Sequence, residues 1–332
     1  MFQGLLFLFL LCYYKFIAVK IIVEKRGTMR QSIFQKRKAV YILATLAAAT
    51  WACAFPLIKT GFQEFAITGT DTWGKTLFAG IRFFIAGLVV LLVARMTKRS
   101  FAIKTSQNAA LLILFSLVNT TFHYFFFYIG LSNMTGSRSS IIDSMGTFLL
   151  VILACVCFKD EHLTKQKIAG CLLGFSGILL ININGGLGSA VTFGGDGMLV
   201  LSALSAAFGG ILTRIVTKKI DAVFATGVSL SLGGVALIAC GAIMGGRLSQ
   251  VTAKGILIIV LLILVSAVGF VLYNQLISYH PVGEIAIFNS FIPVMGTLLS
   301  CLFLGEPFLT HYFLAGGLVV LGVYVVNKKR KA

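Results

Sequence analysis

Charge is scarce in this chain. Of 332 residues only 11% are Asp, Glu, Lys or Arg, against about 25% in an ordinary soluble domain. Acidic side chains are the rarest part, ten against 28 Lys and Arg. So little charge excludes a solvated surface large enough for a soluble fold of this length. Histidine is equally sparse, four residues widely scattered, and neither His-Glu-x-x-His nor Gly-x-Ser-x-Gly occurs. That argues against a metallohydrolase or a serine hydrolase set in the membrane. The seven cysteines all fall inside apolar runs, in an odd number and at no zinc-like spacing. Cys155 and Cys157, two apart on a helix, face different ways. No metal, cofactor or redox pair is expected, and no enzyme activity.

What fills the sequence is apolar, 58% of all residues. The runs are continuous rather than alternating, which excludes a β-barrel. Each approaches the roughly 20 residues that cross a hydrocarbon core of about 30 Å. Ten spans are expected, near 39–60, 73–94, 108–131, 137–158, 167–184, 195–216, 222–244, 255–279, 283–304 and 310–327, with mostly short connections. The fold class is an all-α polytopic membrane protein. Residues 1–34 hold a further apolar segment interrupted by Lys15 and Lys20, read as an accessory helix or as a start placed too far upstream of Met29.

The stretch FKDEHLTKQKIAGCLLGFSGILL (158–180) recurs, altered, as FLGEPFLTHYFLAGGLVVLGVYV (303–325). In each copy a Phe ends an apolar run, an acidic residue follows at the third position (Glu161, Glu306), and a Leu-Thr pair precedes a glycine-spaced helix. The same spacing places Tyr128 on Tyr273 and Ser144 on Asn289. The glycine-rich break NINGGLGSAVTFGGD (182–196) is a linker, not a phosphate loop. It separates two five-helix repeats, 39–184 and 195–327.

Loop charge sets the orientation. Basic residues number six in the tail before the first span, then four, three and three in the second, fourth and sixth loops, and four at the C-terminus; the opposite face carries four. Twenty against four puts both ends of the ten-helix core in the cytoplasm of an inner or plasma membrane. The net charge of +18 is therefore a topology signal, and no nucleic-acid partner is expected. It also puts the two copies of the repeated turn on opposite faces. That is the arrangement of inverted-topology repeats, a common scaffold for alternating access.

Trp51 to Lys59 (WACAFPLIK), Arg82 ahead of an apolar run (IRFFIAGLVVLL), and the twice-repeated acidic turn and glycine helix resemble the EamA-like ten-helix transporters of the drug/metabolite transporter superfamily. The resemblance covers 39–327. The first copy of the turn departs from it, with Lys159-Asp160-Glu161 where Gly-Glu is typical. It implies a secondary transporter moving a small metabolite, amino-acid-like or apolar-tailed, in the outward direction. A nucleotide-sugar or sugar-phosphate exchanger of the same superfamily is the alternative, and a channel is a weaker one.

Ionisable groups within spans cost about 2.5–3.5 kcal/mol each on insertion scales, so each is a functional candidate. Asp143 in span 4 is the candidate for proton coupling, with an ion pair to Arg138 as the structural reading. Arg82 and Lys59 are the candidate charges for an anionic group. Lys59 equally suits snorkelling, and Arg82 suits a polar partner inside the bundle. Candidate solute contacts are Trp51, Asn119, His123, Tyr124, Ser144, Tyr273, Asn274, Asn289 and Ser290. Each alone reads as interhelical glue; together they suit a cavity lining. Pro56 and Pro293 are expected to break spans 1 and 9 beside that cavity. Gly170-x-x-x-Gly174 suits either a homodimer contact or packing within one chain, the simpler use. The expected partners are thus the lipid bilayer, a small-molecule substrate and protons.

Overall fold

The apolar runs become helical rods whose irregularities follow from particular residues. The computed structural model describes residues 33–133, 136–181, 191–304 and 309–328. Residues 1–32, most of the 182–196 linker, Glu306 and the side chains of Arg138, Ser139 and Ser140 lie outside that description. Among the described residues there is no strand.

The rods are α1 (Arg37–Glu64), α2 (Thr72–Met96), α3 (Ser106–Leu131), α4 (Gly136–Cys157), α5 (Lys165–Ile181), α6 (Phe193–Thr217), α7 (Ala222–Ile243) and α8 (Ala253–Tyr279). Then come α9, built from Val282–Ala286, Ile287–Ser290 and Phe291–Leu304, and α10 (His311–Asn327). Side-chain caps start several of them. Asp71 accepts from the Gly74 amide, Asp221 from Val223 and Phe224, and Thr105 and Thr252 do the same for α3 and α8. Each cap satisfies an amide that has no partner within its own helix.

The packing comes in matched pairs. α3 lies on α6 and α8 on α1; α4 lies on α6 and α9 on α1; α2 lies on α8 and α7 on α3. Exchanging each helix for the one five later maps each of these contacts onto its partner. Helices that map onto each other also pack directly, α2 on α7, α5 on α10 and α4 on α9. In α2–α7, Leu77 lies at Gly241, Gly80 at Gly234 and Ile238, and Gly87 at Gly227 and Ser231. Residue numbers rise along one helix as they fall along the other, so the equivalent helices run antiparallel. This is the two-fold relation, in the membrane plane, of inverted repeats.

The α5–α10 seam also settles where the span-5 glycines are used. A Cβ at Gly170 would meet the Gly322 carbonyl oxygen at 2.7 Å, and one at Gly177 the Ala315 carbonyl oxygen at 2.7 Å. The Gly170–Gly174 pair is thus covered by α10 of the same chain. Small residues bring the two backbones together where no hydrophobic drive operates between helices in lipid. In span 10 only Gly322 takes part, since a Cβ at Gly317 would have nothing within 4 Å.

Candidate functional site

Three of the helices carry local departures from α geometry. Pro56 lacks the amide that would bond the Ala52 carbonyl, and α1 breaks at Cys53, between Arg37–Ala52 and Ala54–Glu64. Pro293 likewise withholds a donor from the Asn289 carbonyl, and Asn289 lies in the 3-10 turn Ile287–Ser290 within α9. In α3 a π-helical stretch, Leu117–Phe122, carries Asn119 and leads into His123 and Tyr124. Such stretches re-aim side chains and recur at functional sites.

A chain of rings runs between them. His123 meets Tyr124 with ring centroids 4.5 Å apart, and Tyr124 meets Phe83 at 4.2 Å. Phe83 lies 6.2 Å from Phe270, which lies 5.1 Å from Trp51. Trp51 sits 5.2 Å from Tyr273, whose hydroxyl accepts from Asn289 Nδ2 at 3.2 Å. The path crosses α3, α2, α8, α1 and α9, and so both repeats. Trp51 Nε1 is buried and has no hydrogen-bond partner among the described residues. An orphaned indole donor in hydrocarbon is costly, and here it lies beside the ring path.

Polar groups gather at the His123 end. Ser202 Oγ donates to Asp143 Oδ1 at 3.1 Å, and His123 Nδ1 lies 3.1 Å from the Ser202 carbonyl oxygen and 3.3 Å from its hydroxyl. A proton on Nδ1, donated to that carbonyl, satisfies the set. Asp143, Ser144 and His123 are all half-buried residues, and the carboxylate is paired through Ser202. Arg82 is 3% exposed; its Nε donates to Ser266 Oγ at 2.7 Å and its guanidinium lies 4.8 Å from the Phe83 ring centre. Tyr124 lies within electrostatic reach of both Arg82 and Asp143.

The remaining sequence candidates stand elsewhere. Asn274 Nδ2 donates to Thr226 Oγ1 at 2.8 Å, joining α8 to α7 away from the rings. Asn274→Ala is therefore expected to lower thermal stability by roughly 0.6 kcal/mol and leave solute affinity unchanged; parallel melting and binding curves on the variant check it. Ser290 Oγ is buried toward Gly174 of α5, and Asn119 packs on Gly209 of α6. Lys59 is exposed on α1. Four residues of the arrangement carried no sequence signal: Ser202 and Ser266 are single hydroxyls in apolar runs, and Phe83 and Phe270 are two of 29 phenylalanines.

A groove of about 430 Å³ between α4 and α5, lined by Met145, Phe148, Ile152, Cys171 and Phe175, shares no residue with the ring path. Its walls are apolar, and Ile152 and Leu172 on it are exposed. It is a lipid-side feature. Among the described residues no three His, Cys, Asp or Glu side chains group to hold a metal.

Ten apolar helices in two inverted halves, with a ring-lined and partly polar centre, define a membrane transporter. The EamA-like transporter family model matches residues 38–183 and 193–328, and the chain belongs to that family, within the drug/metabolite transporter superfamily. It is 28% identical over 300 residues to the uncharacterized transporter YvbV of Bacillus subtilis, covering 90% of this chain and 94% of that one. A WAT1-related chloroplastic protein of Arabidopsis thaliana is 26% identical, over 76% of this chain and 63% of its own length. A probable terminal-alkyne amino-acid exporter of Streptantibioticus cattleyicolor is 24% identical, over 88% and 94%. A crystal structure among the solved chains that match has a TM-score of 0.69 at 17% identity, covering 85% of this chain and 97% of that one. That match speaks to the fold.

Proposed function

We propose that this transporter exports a small zwitterionic, amino-acid-like or apolar-tailed metabolite by alternating access, with proton movement through Asp143. The observation that carries the reading is the ring path from His123 to Tyr273, with the Asp143 carboxylate at one end and the orphaned Trp51 donor beside it. Rings supply apolar contact and a face for a cation; Asp143 supplies a charge for an ammonium group or a proton. In this reading the halves 39–184 and 195–327 rock about the shared centre, and both ends of the ten-helix core face the cytoplasm of the plasma membrane. The similarity to a probable amino-acid exporter supports the substrate class. The nucleotide-sugar reading needs free basic side chains at the centre, whereas Arg82 is engaged by Ser266 and Lys218 lies over Phe158 at the membrane surface.

Purified protein in liposomes, loaded with candidate amino acids and tested with and without a pH gradient, is the direct test. Internal solute is expected to accelerate uptake of the same labelled solute, and the gradient to drive accumulation. Flux without such trans-stimulation indicates a channel and removes the alternating-access reading.

A further inference from the structure

The repeated acidic turn reads from sequence as a marker at the membrane surface, yet Glu161 is 2% exposed and its side chain is fully buried. Its carboxylate is surrounded on both oxygens. Oε1 accepts from the Val282 amide at 2.6 Å and from Arg214 Nη1 at 3.0 Å. Oε2 accepts from the Gly283 amide at 3.0 Å and from Lys167 Nζ at 3.2 Å. A carboxylate offers about four acceptor sites, and all are used. Arg214 also bonds the neighbouring Asp160 and lies 4.5 Å from the Phe158 ring centre.

Where these partners come from gives the cluster its meaning. Glu161, Asp160 and Lys167 belong to the first repeat. Arg214, at the end of α6, and the two amides that open α9 belong to the second. Three of the four bonds to the carboxylate therefore cross between halves, at the face carrying the basic loops, where α4 packs on the first part of α9. The amides at the start of α9 have no partner within their helix, and a negative charge is favoured there. Two cations and two carboxylates make the cluster neutral. Asp160, outside the spans, is held below its ordinary carboxylate range chiefly by its hydrogen bond from Arg214. It therefore stays ionised at physiological pH, and its pairing with Arg214 does not titrate there.

We propose that Glu161 is the latch that holds the two repeats together at the basic face and must release each time that face opens. This rests on the alternating-access reading. The latch is a positioning device: it sets which face is open and touches no solute. Breaking it leaves two amides in search of partners, takes its carboxylate from Lys167 and leaves Arg214 with Asp160 as its remaining carboxylate, so the closed arrangement loses several charged hydrogen bonds together.

The test uses a reporter at Val151, fully buried on α4 and 3.6 Å from where a Cβ on Gly283 would sit. Val151→Cys is placed in a variant lacking the native cysteines. A membrane-impermeant maleimide is then applied to vesicles exposing the basic face. Glu161→Gln is expected to label roughly tenfold faster than its parent, the factor given by losing one charged hydrogen bond. Gly283→Ala changes no charge, but its Cβ falls 2.8 Å from Glu161 Oε2. It should displace the carboxylate and also accelerate labelling, and it carries the test if Glu161→Gln does not fold. Labelling within about twofold of the parent in folded Gly283→Ala, and in Glu161→Gln where that folds, overturns the latch. If solute alters labelling of the parent but the variants do not, the latch alone falls. If neither solute nor variant changes it, alternating access falls with it.

Discussion

Asp143→Asn is expected to cut the pH-gradient-driven part of transport sharply while exchange of solute against solute persists. Asparagine keeps the shape and can still accept from Ser202 Oγ, but it carries no proton. Among the described residues the groups facing position 143 are His123 and Ser202, with Tyr124 in electrostatic reach. None is a second carboxylate, and no other acid in this set takes over the role. Gradient-driven accumulation should fall by roughly 5–150-fold, the span of ordinary coupling free energies, with solute counterflow changed far less. Paired flux measurements in liposomes with and without an imposed gradient check this. Asp143→Asn retaining full pH dependence would remove the carboxylate from the coupling scheme and leave Ser202 and Asp143 as interhelical glue.

Gly234→Val is the substitution with the largest expected effect on the fold. A Cβ at Gly234 meets the Phe84 backbone nitrogen, lies 2.7 Å from the Phe84 Cα and 2.9 Å from the Gly80 carbonyl oxygen. All three are backbone atoms of α2, so no side-chain rotation makes room. The helices must separate along the α2–α7 seam, which joins the two repeats directly. Overpacking costs about 1–3 kcal/mol even where side chains relax, so a clash against backbone should exceed that and leave little folded protein. Detergent-solubilised Gly234→Val should aggregate on size exclusion. Gly317→Ala, whose Cβ would meet nothing within 4 Å, should elute and melt like the parent. Equal behaviour of the two would mean that the seam is not held by close backbone approach.

Both expectations draw on features of unequal visibility in the sequence. Pro56 and Pro293 mark the breaks in α1 and α9, because proline removes a donor wherever it falls. The π stretch in α3 has no such mark; Leu117–Phe122 is an ordinary polar-apolar mixture. Asp143, His123 and Arg82 stand out because a charge in an apolar run is conspicuous. Ser202, which joins two of them, does not, since a hydroxyl becomes significant only when a neighbouring helix brings a partner to it. Asn274 is as polar as Asn289 and belongs to the same pattern. The rotation of α8 turns it toward Thr226, while the helix break in α9 turns Asn289 toward Tyr273.

Sequence by itself determined the membrane class, the helical spans and the two-repeat plan. These depend on length, hydropathy and a 145-residue spacing, all of which are properties of the chain in one dimension. Which side chains meet depended on the tertiary structure, because contact between helices is set by rotation and close approach rather than by composition. Glu161 shows the difference most directly. In the sequence it is one acid in a basic turn; in the fold the start of α9 brings two free amides and the end of α6 brings an arginine, and a surface landmark becomes a buried carboxylate with every acceptor site filled.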